Sequence, residues 1–214
     1  MKNVLIIGAG RYGRYSAKQL HDLGHQVMIV DCNEEKINEV LSYVTTAEIG
    51  DGCNEVFLRS LGISDYDFCL VAIGDDFVSS LETTFLLYEL GAKQIIARAN
   101  NENQEKLLLR SGANHVVFPE RELGIWTAIR FSTDSIFNYF SLGEEYGIFE
   151  MNTPVKWDGK TIREIDIRNK YGITILAKKA IDFDFEIGVD TVLKKDEKLL
   201  VIGKNEHVQH IAMG

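Results

Sequence analysis

The stretch "IIGAGRYGRY" at residues 6–15 sets Gly8, Gly10 and Gly13 in the spacing G-x-G-x-x-G. The chemistry of that spacing is phosphate binding. The first glycine permits a tight turn, the second lets phosphate approach the backbone, and the third lets a helix pack closely on a strand. The helix that follows offers unpaired N–H groups and the positive end of its dipole to an anion. Asp31 follows at about the 20-residue distance expected of a carboxylate that accepts hydrogen bonds from a ribose. It would repel a 2′-phosphate, which argues against NADP. Other charged groups fall just after strand-like runs, where open α/β sheets bind their ligands: Asp51, then Asp75 and Asp76 beside Gly74, then Arg98, then Glu120. Arg11 lies inside the glycine loop. A guanidinium suits bidentate phosphate recognition, so Arg11 and Arg98 are candidate phosphate contacts. Tyr12, Cys32 and Gly52, flanking these positions, complete the candidate cofactor set.

These residues need a scaffold, and the first 120 residues supply its pattern. Apolar runs at Val4–Ile7, Val27–Val30, Phe68–Ile73, Ile95–Ala97 and His115–Phe118, with a weaker one at Thr46–Ile49, alternate with helical stretches. Continuous apolar runs mark strands covered on both faces. Gly24, Gly62, Gly91 and Gly112 close several of the helices, as helix C-termini commonly do. The expectation is an α/β, Rossmann-like doubly wound parallel sheet in the order 3-2-1-4-5-6.

Beyond it, Glu120–Leu142 reads as one long helix, continuous or broken, carrying more large apolar groups than a single core-facing stripe needs, which predicts burial within the chain or against a second subunit. A boundary is expected at Gly143–Gly147, giving domains 1–142 and 143–214. The second is a small α+β module. Strands are expected at Ile148–Met151, Ile173–Ala177, Asp182–Glu186 and Leu199–Ile202, a short helix at Thr161–Arg168, and a helical tail from Glu206.

Composition narrows the function classes. A net charge of -9 disfavours nucleic acid, whose non-specific binding depends on Lys and Arg neutralising phosphate. No stretch nears the roughly 18 apolar residues of a membrane span. Met-Lys-Asn runs straight into a strand, so a signal peptide is not expected and a cytosolic setting is. The three cysteines, Cys32, Cys53 and Cys69, form no C-x-x-C pair, so neither a zinc site nor a disulfide framework is indicated. Cys69 reads as a buried small hydrophobe. Cys53 reads as opening a helix, which would lower its pKa. The five histidines enter no arrangement suited to catalysis, and no metal or nucleophilic motif accompanies the nucleotide site. The expectation is a binding protein rather than an enzyme. An NAD(H)-binding redox sensor and a small NAD-dependent oxidoreductase stand as alternatives, because NAD and ATP present the same adenosine ribose to Asp31.

Taken in order, "IIGAGRYG", "HQVMIVDCNEEKI", "VAIGDD", "GANHVVFPERELG" and "RNKYGITILAKK" resemble the RCK (regulator of potassium conductance), or TrkA, family over nearly the full chain, and within it the Ktr-type regulatory subunits of bacterial potassium uptake systems. The resemblance implies a cytosolic, non-enzymatic subunit. It would bind ATP or ADP, or in some branches NAD or NADH, and assemble as dimers into an octameric ring beneath a membrane potassium-translocating subunit. Nucleotide exchange would change the ring and gate the pore. By the same resemblance Gly8, Gly10 and Gly13 hold phosphates and Asp31 the ribose, while Asp51, Gly74 and Asp75 lie near the nucleotide. Arg11 meets the terminal phosphate, and Arg98 stands where relatives often carry Lys. Glu120 helps bind magnesium or another cation between nucleotides of adjacent subunits. Relatives also bind cyclic di-AMP in the C-terminal module, which points to Arg168, Asn169, Ile173 and Ile175. Some of those relatives carry a proline in the later loop, where this chain reads "EIGVDTV" and has none.

Overall fold

The computed structural model describes residues 1–143 and 145–213, so Glu144, inside the expected boundary segment, and Gly214 lie outside the described residues. The chain divides into two compact units, Met1–Glu120 and Arg121–Gly214.

The first unit is built on a six-stranded sheet, made of β1 (Asn3–Ile7), β2 (Gln26–Asp31), β3 (Thr46–Ile49), β4 (Phe68–Val71), β5 (Ile95–Arg98) and β6 (His115–Val117). The order is β3-β2-β1-β4-β5-β6 and every pairing is parallel. Alternate residues of each central strand serve different cores, as a period of two requires. Leu5, Ile7, Val30, Cys69 and Val71 face one, together with Leu58, Leu87 and Leu108. Val4, Ile6, Val27, Ile29 and Leu70 face the other, together with Ala17 and Ile37. Helices α1 (Arg11–Asp22), α2 (Glu34–Asn38), α3 (Glu55–Ser60), α4 (Phe77–Glu89) and α5 (Glu102–Arg110) connect the strands. Gly24 (φ 82°) closes α1. Its N–H donates to the His21 carbonyl and that of His25 to the Leu20 carbonyl, which satisfies groups the helix leaves unpaired.

The helix starts differ in a way that matters for the site. Asn33, Asn54, Asp76 and Asn101 cap α2, α3, α4 and α5, each side chain accepting a backbone N–H of the first turn. Helix α1 begins at Gly10 with no side-chain cap and no acidic residue in its first turn. A helix cannot pair its first N–H groups within itself, and α1 starts directly after β1 and the glycine turn.

Helix α6 (Pro119–Phe131) follows β6. It does not continue to Leu142 as expected. Ser132-Thr-Asp-Ser135 interrupts it, and Ile136–Ser141 forms β7, antiparallel to β8 (Tyr146–Asn152). The run "IFNYFS" is rich in β-branched and aromatic residues, which favour a pleated surface over a helix. Ile136 and Tyr139 are buried in the second core, and the Tyr139 and Phe149 rings lie 4.8 Å apart.

The second unit's sheet has five strands in the order β10-β9-β11-β8-β7, with β9 (Ile173–Lys179), β10 (Phe183–Asp184) and β11 (Lys198–Lys204) all antiparallel to their neighbours. The helix expected at Thr161–Arg168 is two short ones, α7 (Ile162–Ile165) and α8 (Ile167–Tyr171). Asp166 between them takes a left-handed φ of 54° and ends the first. Thr161 and Glu164 close a reciprocal capping box at the start of α7. Helix α9 (Asn205–Met213) places Val208 and Ile211 in this core, with Trp157, Leu193 and Val201.

Candidate functional site

A cavity of about 590 Å³ opens at the carboxyl edge of the first sheet, lined in part by Gly8, Gly10, Arg11, Tyr12, Asp31 and Cys32. Asp51, Gly52, Gly74, Asp75, Arg98 and Glu120 complete the expected set on its walls. Of the N-terminal candidates only Gly13 is absent from the lining. Its place is behind the loop, where a Cβ would collide with the Gly8 carbonyl and press on Ala72. That is the close packing of helix on strand for which a glycine is needed. Gly8 (φ 107°) turns the chain out of β1.

Asp31 is built into the loop. It is only 8% exposed, and its Oδ2 accepts the Ala9 N–H at 2.7 Å while Oδ1 accepts the Asn33 N–H at 2.9 Å. One carboxylate therefore ties the glycine loop to the end of β2. Lys36 Nζ lies 3.9 Å from Oδ2. Asp51 Oδ1 accepts the Cys53 N–H at 2.9 Å, which holds the turn between β3 and α3. Asp76 caps α4 by accepting the Ser79 N–H at 3.1 Å and its hydroxyl at 2.8 Å. These two bonds hold the Asp76 carboxyl below its ordinary pKa.

Arg98, at the end of β5, reaches into the same space. Its Nη2 donates to Glu120 Oε1 at 2.5 Å, and the Tyr12 ring centroid lies 5.9 Å from its Cζ. A side chain at Gly74 would collide with Arg98 Nη1. Gly74 thus makes room for the guanidinium, and its carbonyl accepts Asn100 Nδ2 at 2.6 Å. No group of three or more metal-ligating side chains occurs among the described residues. Glu120, the expected cation ligand, is paired with Arg98.

Lys36, Cys53, Asp76 and Ser79 also line the cavity but were not in the candidate cofactor set. Of these the sequence singles out Asp76, as a charge after the fourth strand, and Cys53, as the opening of a helix. Cys53 corrects an expectation. It precedes the Asn54 cap rather than opening α3, and its thiol faces the Ser79 carbonyl at 3.6 Å and Thr83 Oγ1 at 3.8 Å. Burial pushes its pKa up, not down, outweighing those two contacts. Cys69 is buried as expected, its pKa pushed up to about 12 by desolvation.

In the second unit the four second-messenger candidates divide between the core and the surface. Ile173 and Ile175 are core residues of β9, whereas Arg168 and Asn169 are exposed on α8, with Asn169 Nδ2 donating to Asp166 Oδ1 at 2.8 Å.

The TrkA-N domain model matches residues 4–119 and the TrkA-C domain model residues 148–213. The chain is 36% identical over 209 residues to the Ktr system potassium uptake protein A of Bacillus subtilis, covering 97% of this chain and 94% of that protein. Among solved structures, the GsuK channel bound to NAD superposes with a TM-score of 0.68 at 21% identity, over all of this chain and 39% of the channel chain. GsuK bound to ADP superposes with a TM-score of 0.54 at 19% identity, over 63% of this chain and 36% of the other. Two domain matches in order, and a relative aligned almost end to end, establish that the chain belongs to the TrkA family of RCK proteins, in the two-domain form of its Ktr members.

Proposed function

We propose that this chain is a nucleotide-responsive regulatory subunit of a potassium uptake system, gated by adenine nucleotides and without enzymatic activity. The observation that carries the reading is the cavity. The uncapped start of α1 forms its phosphate end, and Asp31 and Arg98 are already held in place beside it. Phosphates would sit at the N-terminus of α1 and the ribose would take the carboxylate of Asp31. The groups that line the site are built to bind. Asp31, Asp51 and Asp76 accept backbone N–H groups, and burial raises the pKa of the Cys53 thiol, which disfavours the nucleophilic thiolate. The similarity to a Ktr potassium uptake protein along the whole chain supplies the process. No helix among the described residues is long and apolar enough to cross a membrane. Gating would therefore act on a separate membrane subunit, with this chain assembled as a ring at the inner face of the membrane.

A ligand shifts a conformational equilibrium only by its differential affinity for the two states. We assign the sensing of the terminal phosphate to Arg11, which lines the cavity. The test is calorimetric titration of the purified chain with ATP, ADP, NAD and NADH, with and without magnesium, repeated on Arg11→Ala. ATP and ADP are expected to bind, and the ATP/ADP affinity ratio is expected to narrow in the variant. An unchanged ratio would remove the role given to Arg11, and failure of both adenine nucleotides to bind would overturn the reading. An NAD(H)-binding sensor is the second reading, favoured by the NAD-bound state of one structural neighbour. It predicts NADH as the tightest ligand of that panel.

A further inference from the structure

Arg98 is held on three sides. The bare backbone of Gly74 makes room for Nη1, the Tyr12 ring stands near the guanidinium, and Glu120 takes Nη2. Its side chain is 19% exposed, against 59% for that of Glu120. Its Nε is buried without a hydrogen-bond partner. The cation is thus fixed in the cavity wall and incompletely paired, while the anion on it is the more solvated, more easily withdrawn member. Carboxylate and phosphate engage a guanidinium through the same forked geometry.

We propose that Glu120 is a specificity-determining residue that competes with a ligand phosphate for Arg98, so that binding exchanges a carboxylate for a phosphate at that guanidinium. The inference rests on the nucleotide-site reading above. Its consequence is a charge threshold. A nucleotide must carry enough negative charge at Arg98 to displace an internal competitor, and a neutral nucleoside gains nothing there. Once displaced, the carboxylate is free for other partners. A cation-binding role and a competitor role for Glu120 then make opposite predictions. Without divalent cations, a pure cation ligand can be neutralised at no cost to affinity and with no gain, whereas removing a competitor tightens binding.

The test is calorimetric titration of the full chain and of Glu120→Gln with ATP, ADP and adenosine in EDTA. It is repeated in the Arg98→Gln background, or in Arg98→Lys, which keeps the charge but not the fork, if the first variant does not fold. Partly exposed ion pairs contribute about 0.2–1 kcal/mol, so E120Q is expected to bind ATP and ADP about two- to fivefold tighter. Adenosine affinity is expected to stay unchanged, and the gain should shrink or vanish when Arg98 is replaced. Equal or weaker nucleotide binding by E120Q in EDTA overturns the proposal. So does a gain that persists undiminished without Arg98, since that would be a general field effect of removing one negative charge. Wild-type binding with an unaffected E120Q overturns this inference alone; no binding by any of the proteins overturns the nucleotide site with it.

Discussion

Replacing Asp31 with Asn tests whether the ribose carboxylate is also a structural clamp. The carboxylate accepts two backbone N–H groups, from Ala9 at 2.7 Å and from Asn33 at 2.9 Å, one on each oxygen. Asparagine has the same shape but a single acceptor oxygen. Whichever way the amide turns, one N–H group meets an NH₂ group instead of an acceptor. Leaving such a donor unsatisfied in a buried position costs about 1–3 kcal/mol. The amide can turn to keep the bond from the fully buried Ala9 and leave unpaired the N–H of the exposed Asn33, which water can reach, so the cost falls at the low end of that range, about 1 kcal/mol. Lys36, at 3.9 Å with its side chain 44% exposed, adds no more than about 1 kcal/mol because solvent screens it. A chain of this size loses about 2–4 °C of melting temperature per kcal/mol. The expected fall for D31N is therefore roughly 2–8 °C with no nucleotide present, read by far-ultraviolet circular dichroism at neutral pH. The stabilisation by added ATP should fall as well. If the nucleotide-free variant melts with the wild type and only the ATP response is lost, the clamp contributes nothing and Asp31 is a ligand contact alone.

Other outcomes are expected at sites away from that clamp. Gly74→Ala forces Arg98 Nη1 out of its place, so it should weaken nucleotide binding several-fold while disturbing the melt less than D31N; unchanged affinity in a titration would show that Arg98 does not meet the ligand. Cys69 keeps its proton up to about pH 12 in the folded chain, whereas an unfolded chain gives it up from about pH 8.5. Stability is therefore unaffected below that pH and should fall by about 1.4 kcal/mol per pH unit above it. Urea unfolding of Cys69→Ala across the alkaline range should show a shallower decline, and parallel pH profiles would refute the burial argument. Thr161→Ala removes the capping box of α7 and should cost about 0.5–2 kcal/mol, seen as a lower urea midpoint with nucleotide affinity intact.

Legibility in the sequence followed the physical strength of each signal. Five strands of the first sheet were plain because parallel strands covered on both faces are short apolar blocks; β3, an edge strand largely exposed, gave the weaker run at Thr46–Ile49. The glycine loop and Asp31 were plain because their backbone roles admit few residue types. Residues 132–141 misled for the opposite reason. Ile136, Phe137, Tyr139 and Phe140 are apolar at both helical and strand spacings, so periodicity could not separate the two states, and the polar Ser132-Thr-Asp-Ser135 break was the only cue. Cys53 misled because its pKa depends on Ser79 and Thr83, more than twenty residues away, and on burial that no local pattern reports. Lys36 and Ser79 lack any motif. They reach the cavity only because α2 and α4 start at its rim. The Arg98–Glu120 pair joins the ends of two successive strand connections, and the sequence named both residues without revealing that they meet.

Strand β7 has a practical consequence for dissecting the protein. It is the border strand of the second sheet, yet it lies ahead of residue 148, where the C-terminal family match starts. A fragment cut to that match would also shorten β8, which begins at Tyr146. It would leave the remainder of β8, with Ile148, Phe149 and Met151, as a bare border with unpaired backbone groups, the kind of edge that recruits other chains. Such a fragment should self-associate or precipitate, and an oligomer measured on it would report the cut rather than the native assembly. A fragment that starts at or before Thr133 keeps the border strand in place.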